Sequence, residues 1–154
     1  MWFIKNYKEV NCLDDLNYLS NGNEIFGFIY IIKNITKNKD YIGKKQLFNT
    51  RKIKLSKKQL KKRLDKRTSI YKIVKKESNW LSYTGSNKEL NNDIKDGDVI
   101  EKYIIDIAYN KTQLTYLETK YQFMLEVLET PNYYNQNIMG KFFNQYNNEI
   151  KKNC

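Results

Sequence analysis

The chain of 154 residues contains no histidine. That absence excludes Ser-His triads, histidine general bases and His-ligated metal nucleases. It has two cysteines, Cys12 and Cys154, far apart in sequence. They make neither a disulfide framework nor a thiolate zinc site. The six glycines are scattered, so there is no Gly-rich phosphate loop. No apolar run approaches the roughly 18 residues a membrane span needs. The start, Met1-Trp2-Phe3-Ile4-Lys5-Asn6, lacks the charged-then-apolar order of a signal peptide. These absences point to a soluble cytoplasmic protein of one domain, residues 1–154, with no membrane role. Hydrolysis, if this chain performs it, is left to Tyr, Lys, Glu and Asp, with a hard cation on carboxylate and phosphate oxygens.

Acidic residues are missing from one long stretch. Lys44 to Lys76 holds fifteen Lys or Arg against Asp65 alone, while the whole chain carries +11. The rest of the chain is therefore near neutral, and one basic segment dominates. A field this concentrated attracts polyanions, nucleic acid above all. Ser56 to Arg67 reads as a helix, with Ser56 as N-cap and Leu60 and Leu64 four apart. Lys57, Lys58, Lys61, Lys62, Arg63 and Arg67 are the candidate DNA contacts there.

Elsewhere the pattern is that of a small α+β domain. Ile25 to Ile32 and Tyr41 to Lys45 read as a hairpin around the polar loop Lys33 to Asp40. Gly27 suggests a bulge or a close backbone approach. Val99 to Ile107 reads as a third strand, and 1–24 as an edge strand or short helix. Asn87 to Asp96 is predicted as a short helix ended by Gly97. A longer helix is predicted from Thr112 to Leu128, where Leu114, Leu117, Tyr121, Met124, Leu125 and Leu128 form a stripe. Pro131 would stop it. Glu118 falls about 20° beyond the edge of that stripe, beside the core. A weak final helix is expected. An Asp106…Glu118-x-Lys120 nuclease pattern fits the spelling but needs Glu118 on a strand.

Taken in order, Phe28-Ile29-Tyr30, Tyr41-Ile42-Gly43-Lys44-Lys45, a basic stretch with arginine, Trp80-x-x-Tyr83-x-Gly85-Ser86, a helical Glu118 and Pro131…Tyr134-Asn135 resemble the GIY-YIG endonuclease superfamily. The pattern is most similar to the phage-encoded Seg-type endonucleases, over about residues 25–140. Phe28 departs from the usual glycine of the first motif.

The resemblance implies a three-stranded antiparallel sheet flanked by helices, with the site on one face. It implies a metal-dependent DNA endonuclease of the phage homing or nicking kind, using Mg²⁺ or another divalent cation such as Mn²⁺ on double-stranded DNA. Tyr30 would activate or position the attacking water, and Tyr41 would be the second site tyrosine. Glu118 would hold the metal, and Asn135 would support the site. An arginine would clamp the phosphate; Arg51, eight residues after Gly43, is the first choice and Arg63 the second. Lys44 and Lys45 contact phosphate or are ordinary surface lysines. The alternative from another class is a non-catalytic DNA- or RNA-binding protein, which would use 44–76 without needing Glu118 or the tyrosines.

Overall fold

The structure is a computed structural model that describes residues 1–4, 8–17 and 19–144. The expected final helix and Cys154 lie outside the described residues. Strands β1 (Trp2–Ile4) and β2 (Lys8–Val10) open the chain, followed by helix α1 (Leu13–Asn17). Then come β3 (Gly27–Asn34), β4 (Lys39–Gln46), β5 (Phe48–Lys54), α2 (Lys57–Lys61) and β6 (Tyr71–Glu77). Helix α3 (Lys88–Lys95), β7 (Ile100–Ala108), α4 (Lys111–Met124), β8 (Asn137–Ile138) and β9 (Phe142–Phe143) complete it.

The predicted antiparallel trio is present as β7-β3-β4, but it is the centre of a larger sheet. The order is β2-β1-β7-β3-β4, with β1 parallel to β7. The sheet is thus five-stranded and mixed, not three-stranded and antiparallel. The reason lies at the β7 edge. Nine residues of unpaired backbone would be left open there, and Trp2 and Phe3 pair with Lys102 and Tyr103 to cover part of it. The first 24 residues supply both of the elements expected as alternatives, strand and short helix.

β3 lies between β4 and β7 and is apolar on both faces, which is why its sequence runs without alternation. Phe28, Tyr30 and Ile32 pack with Trp2, Trp80, Leu90 and Tyr134 on one side. Ile29 and Ile31 pack with Leu114 and Leu117 of α4 on the other. A bulge in the β3–β7 pairing lies between Ile29 and Tyr30, where Asp106 and Ile104 are the successive partners. Gly27 itself marks a close approach. A Cβ there would lie 2.5 Å from the Lys45 carbonyl oxygen and 2.9 Å from Leu114 Cδ2.

Helix α4 starts at an Asn110 cap, whose side chain accepts from the Gln113 amide. It ends at Met124, four residues before the predicted end and well before Pro131. Glu126 turns left-handed at φ +50°. The Val127 amide then donates to the Gln122 carbonyl, and the Glu126 amide to the Phe123 carbonyl. This is a Schellman stop. Val127 and Leu128 consequently reach the core from a turn, while Met124 and Leu125 of the predicted stripe are exposed.

The basic segment also differs from the reading as one helix. Ser56 does cap, and Gln59 closes the capping box, but α2 runs only from Lys57 to Lys61. Leu64 finds no core and stands fully exposed. A helix this short with no apolar face to bury is not extended. The flanking residues form an antiparallel ribbon instead, pairing Phe48 with Glu77 at one end and Lys54 with Tyr71 at the other. Among the described residues no helix is long and apolar enough to cross a membrane.

One buried cation has a measurable consequence. Lys102 on β7 is 6% exposed. Its ammonium donates to the carbonyls of Leu81 and Tyr83 and lies 4.3 Å from the centre of the Trp2 ring. Burial pulls its pKa down to about 8. In the unfolded chain it is an ordinary lysine near 10.5. Between these values the unfolded state binds more protons, so this group makes stability rise with pH from about 8 to about 10.5. Wild type is therefore expected to gain stability relative to Lys102→Met between pH 7.5 and pH 10 in urea titrations. Parallel pH profiles of the two proteins would refute the assignment.

Candidate active site

The strand pairing sets the two tyrosines on one face. Tyr30 pairs with Gly43, and Ile32 with Tyr41, so the tyrosines are diagonal neighbours across β3 and β4. Their rings lie 6.1 Å apart. Gly43 is needed because the Tyr30 phenol lies across it: a Cβ at 43 would be 2.5 Å from the Tyr30 oxygen. Tyr30 is 1% exposed, so its ring has no room to swing aside.

The segment Trp80 to Ser86 closes over these rings. Trp80 is fully buried and stacks edge-on against Phe28 at 6.0 Å. Its indole nitrogen donates to Glu77 Oε1, and its carbonyl accepts from the Trp2 indole. Tyr83 meets Tyr30 edge-on, with centres 6.0 Å apart. Gly85, at φ +87°, lies over Tyr41, where a Cβ would fall 2.8 Å from the ring. The Ser86 hydroxyl is 3.2 Å from that of Tyr41.

Tyr41 opens onto a cleft of about 500 Å³. The start of α3 (Ser86 to Glu89), Glu118 and Gln122 of α4, and the 135–140 segment form its walls. Glu118 therefore shares the cleft with Tyr41, from a helix, as the sequence order requires. This placement rules out the Asp106…Glu118-x-Lys120 strand pattern. Asp106 is on β7 and accepts from the Tyr121 hydroxyl. The Glu118 side chain is 21% exposed and pairs with Lys44 at 2.9 Å. Lys44 Nζ also donates to Thr115 Oγ1 at 3.0 Å.

Asn135 lines the same cleft but holds it rather than reaching into it. Its Oδ1 accepts from the Ile42 amide at 3.0 Å, and its Nδ2 donates to the Ile42 carbonyl at 2.8 Å. The side chain thus completes the outer edge of β4 like a length of strand. Its neighbour Tyr134, buried, fixes it in place. The Tyr134 hydroxyl donates to Asp93 and accepts from Asn34, while Asn87 donates to its carbonyl.

The electrostatics separate the two tyrosines. Burial, with Tyr41 and Tyr83 nearby, pushes Tyr30 well above the usual phenol value. It stays protonated at neutral pH in this environment. Burial also pushes Tyr41 up, but the Ser86 and Tyr30 hydroxyls pull it back in part. Of the two, Tyr41 is closer to ionising and is the one that faces the cleft.

The candidate arginines fall elsewhere. Among the described residues no arginine lines the cleft. Arg51 is exposed on β5 opposite Val74. Arg63 donates to the Thr68 carbonyl and folds into the tip of the ribbon, and Arg67 is exposed beside it. Lys57, Lys58, Lys61 and Lys62 are exposed at the same tip. The cleft's cations are Lys88 on its wall and Lys44 on Glu118. Lys45 lies over the Tyr83 ring at 3.9 Å and donates to Asn79.

The sequence motifs include Tyr83, Ser86 and Tyr134 without placing them at the site, and Asn87 reads there only as the start of a short helix. The Trp80 to Ser86 spelling was the available signal for the first two, since Gly85 and Ser86 directly follow the Trp-x-x-Tyr unit.

No curated protein and no solved structure matches the chain. The sequence profile of the family described as "Putative endonuclease segE, GIY-YIG domain" matches residues 13–138. That span covers most of the chain and contains Tyr30, Tyr41, Gly43, Trp80 to Ser86, Glu118 and Asn135. The match spans well over half of the chain, which is therefore a member of the segE group of GIY-YIG endonuclease domains.

Proposed function

We propose that this protein is a metal-dependent endonuclease that hydrolyses phosphodiester bonds in double-stranded DNA, in one domain. The observation that supports this most is the meeting of Tyr41 and Glu118 in one cleft, with Asn135 bracing its edge and Tyr30 directly behind Tyr41.

The donor chemistry suits a hard cation. Among the described residues no cluster of three His, Cys, Asp or Glu is present. A single carboxylate is compatible with Mg²⁺ or Mn²⁺, which often keep several waters and take further oxygens from substrate phosphate. Glu118 would hold the cation. Bound there, it would stabilise charge on the scissile phosphate and the leaving oxygen.

The chain's own groups divide the remaining work. The Tyr41 phenol faces the cleft and, with Ser86 at its oxygen, orients the attacking water. Tyr30 remains a neutral phenol and keeps Tyr41 in position from behind. Lys44 and Lys88 supply positive charge to the phosphate in place of an arginine in the cleft. Asn135 fixes the β4 edge, so that Tyr41 and Lys44 keep their spacing.

The test is cleavage of supercoiled plasmid. Full-length protein is expected to nick or linearise it with Mg²⁺ or Mn²⁺, and chelation by EDTA is expected to stop cleavage while duplex binding persists. Binding without cleavage under every divalent cation would favour the non-catalytic alternative. Cleavage unaffected by EDTA would overturn the metal assignment.

A further inference from the structure

Among the described residues the ribbon of β5 and β6 has no sheet partner, and nearly every residue along it is exposed. An isolated two-stranded ribbon is marginal in water. This one also carries thirteen Lys or Arg between Phe48 and Glu77, against Asp65 and Glu77. So much unneutralised charge adds self-repulsion, and its complement is a polyanion.

The register divides the ribbon into two faces. Phe48, Thr50, Lys52 and Lys54 share one with Tyr71, Ile73 and Lys75. That face is tied down at its base: Phe48 packs on the core, and Lys75 lies over the Phe48 ring and pairs with Glu24. The other face presents Asn49, Arg51 and Ile53 beside Lys72, Val74 and Lys76. These side chains match what the major groove displays. Arg reads guanine O6 and N7, Asn reads adenine N6 and N7, and apolar groups meet the thymine methyl. The ribbon is about 20 Å long by strand rise, or about six base-pair steps. The major groove of B-DNA, about 12 Å wide, admits a two-stranded ribbon, whereas the major groove of A-form RNA is too narrow for side chains to read.

We infer that the β5–β6 ribbon enters the major groove of B-form DNA with Asn49, Arg51 and Ile53 against the base edges, while the lysines of α2 flank the phosphates. This rests on the endonuclease reading and names how that enzyme holds its substrate. It moves Arg51 from the chemistry to the groove.

The test uses the full chain in EDTA, so that cleavage does not intervene, on a mixed-sequence DNA duplex treated with dimethyl sulfate. That reagent methylates guanine N7 in the major groove and adenine N3 in the minor groove. Bound protein is expected to protect guanine N7 and leave adenine N3 reactive. The pair Asn49→Ala/Arg51→Ala is expected to lose that protection and bind DNA about tenfold more weakly. Lys52→Ala/Lys54→Ala, on the other face, is expected to keep the protection. Double-stranded RNA of the same sequence is expected to bind more weakly than DNA.

Bound DNA with unprotected guanine N7, protected adenine N3, or equal affinity for RNA would overturn the inference. In a protein that still cleaves plasmid, those results would leave the endonuclease reading standing. Failure to bind any duplex would overturn both. The wild-type footprint decides the matter even if a ribbon variant unfolds.

Discussion

Glu118→Gln is expected to lose plasmid cleavage by a factor on the order of 10³ while duplex binding stays within about twofold. The substitution keeps the size of the side chain and removes its charge. Glu118 is partly exposed on α4 and pairs with Lys44, so the fold has little to lose: a partly exposed ion pair contributes about 1 kcal/mol or less. The chemistry has much to lose, because Glu118 is the carboxylate proposed to hold the cation; Glu89, also on the wall, stands across the cleft on α3. Initial rates of nicking at saturating Mg²⁺, with anisotropy for binding and thermal unfolding for the fold, separate these effects. A variant that cleaves at more than a tenth of the wild-type rate would sink the role given to Glu118.

Trp80→Ala is expected to be the most damaging single change to stability, at about 3–5 kcal/mol. Domains of this size are stable by about 5–15 kcal/mol, so much of the margin would go. Trp80 is fully buried against Phe28. Its removal leaves a cavity beneath the segment that places Tyr83 on Tyr30, Gly85 on Tyr41 and Ser86 at the Tyr41 hydroxyl. Activity should therefore fall together with stability. Trp80→Phe is expected to recover part of both. Urea titration measures the loss, and a loss under about 1 kcal/mol would show that the loop does not depend on this ring.

The parts of the fold legible in the sequence were those whose signal is local. The β3–β4 hairpin, α3 with its Gly97 stop and the start of α4 each follow from patterns within a few residues. The position of Glu118 followed from helical period alone, because Leu114 and Leu117 set the buried side of α4 beside it. The end of that helix was not legible. Leu128 has the right spacing to continue the stripe, but the left-handed turn at Glu126 carries it into the core by another route. The long-range pairing of β1 with β7 joins residues about a hundred apart, and no local pattern in 1–24 announces it. The basic segment misled because lysine and leucine favour helix locally. With no apolar surface to cover, alternating Thr50, Lys52 and Lys54 across from Ile73 and Lys75 prevailed. At the candidate site, spelling picked out Tyr41, Glu118 and Asn135, which line one cleft. It did not show that Tyr30 is sealed beneath Gly43 and Gly85, or that Arg51 is carried away on a ribbon.

The carboxamide of Asn135 has a consequence for solubility as well. β4 is the outermost strand of the sheet, and an open strand edge is a template for joining another chain. The Ile42 peptide group is occupied at both its donor and its acceptor by Asn135, and Asp40 is matched by the backbone of Asn132 and Tyr134. The Asn135 side chain and the backbone of Asn132 and Tyr134 thus block this stretch of edge against edge-to-edge association. The amide that braces the candidate cleft is thus also part of what closes the sheet.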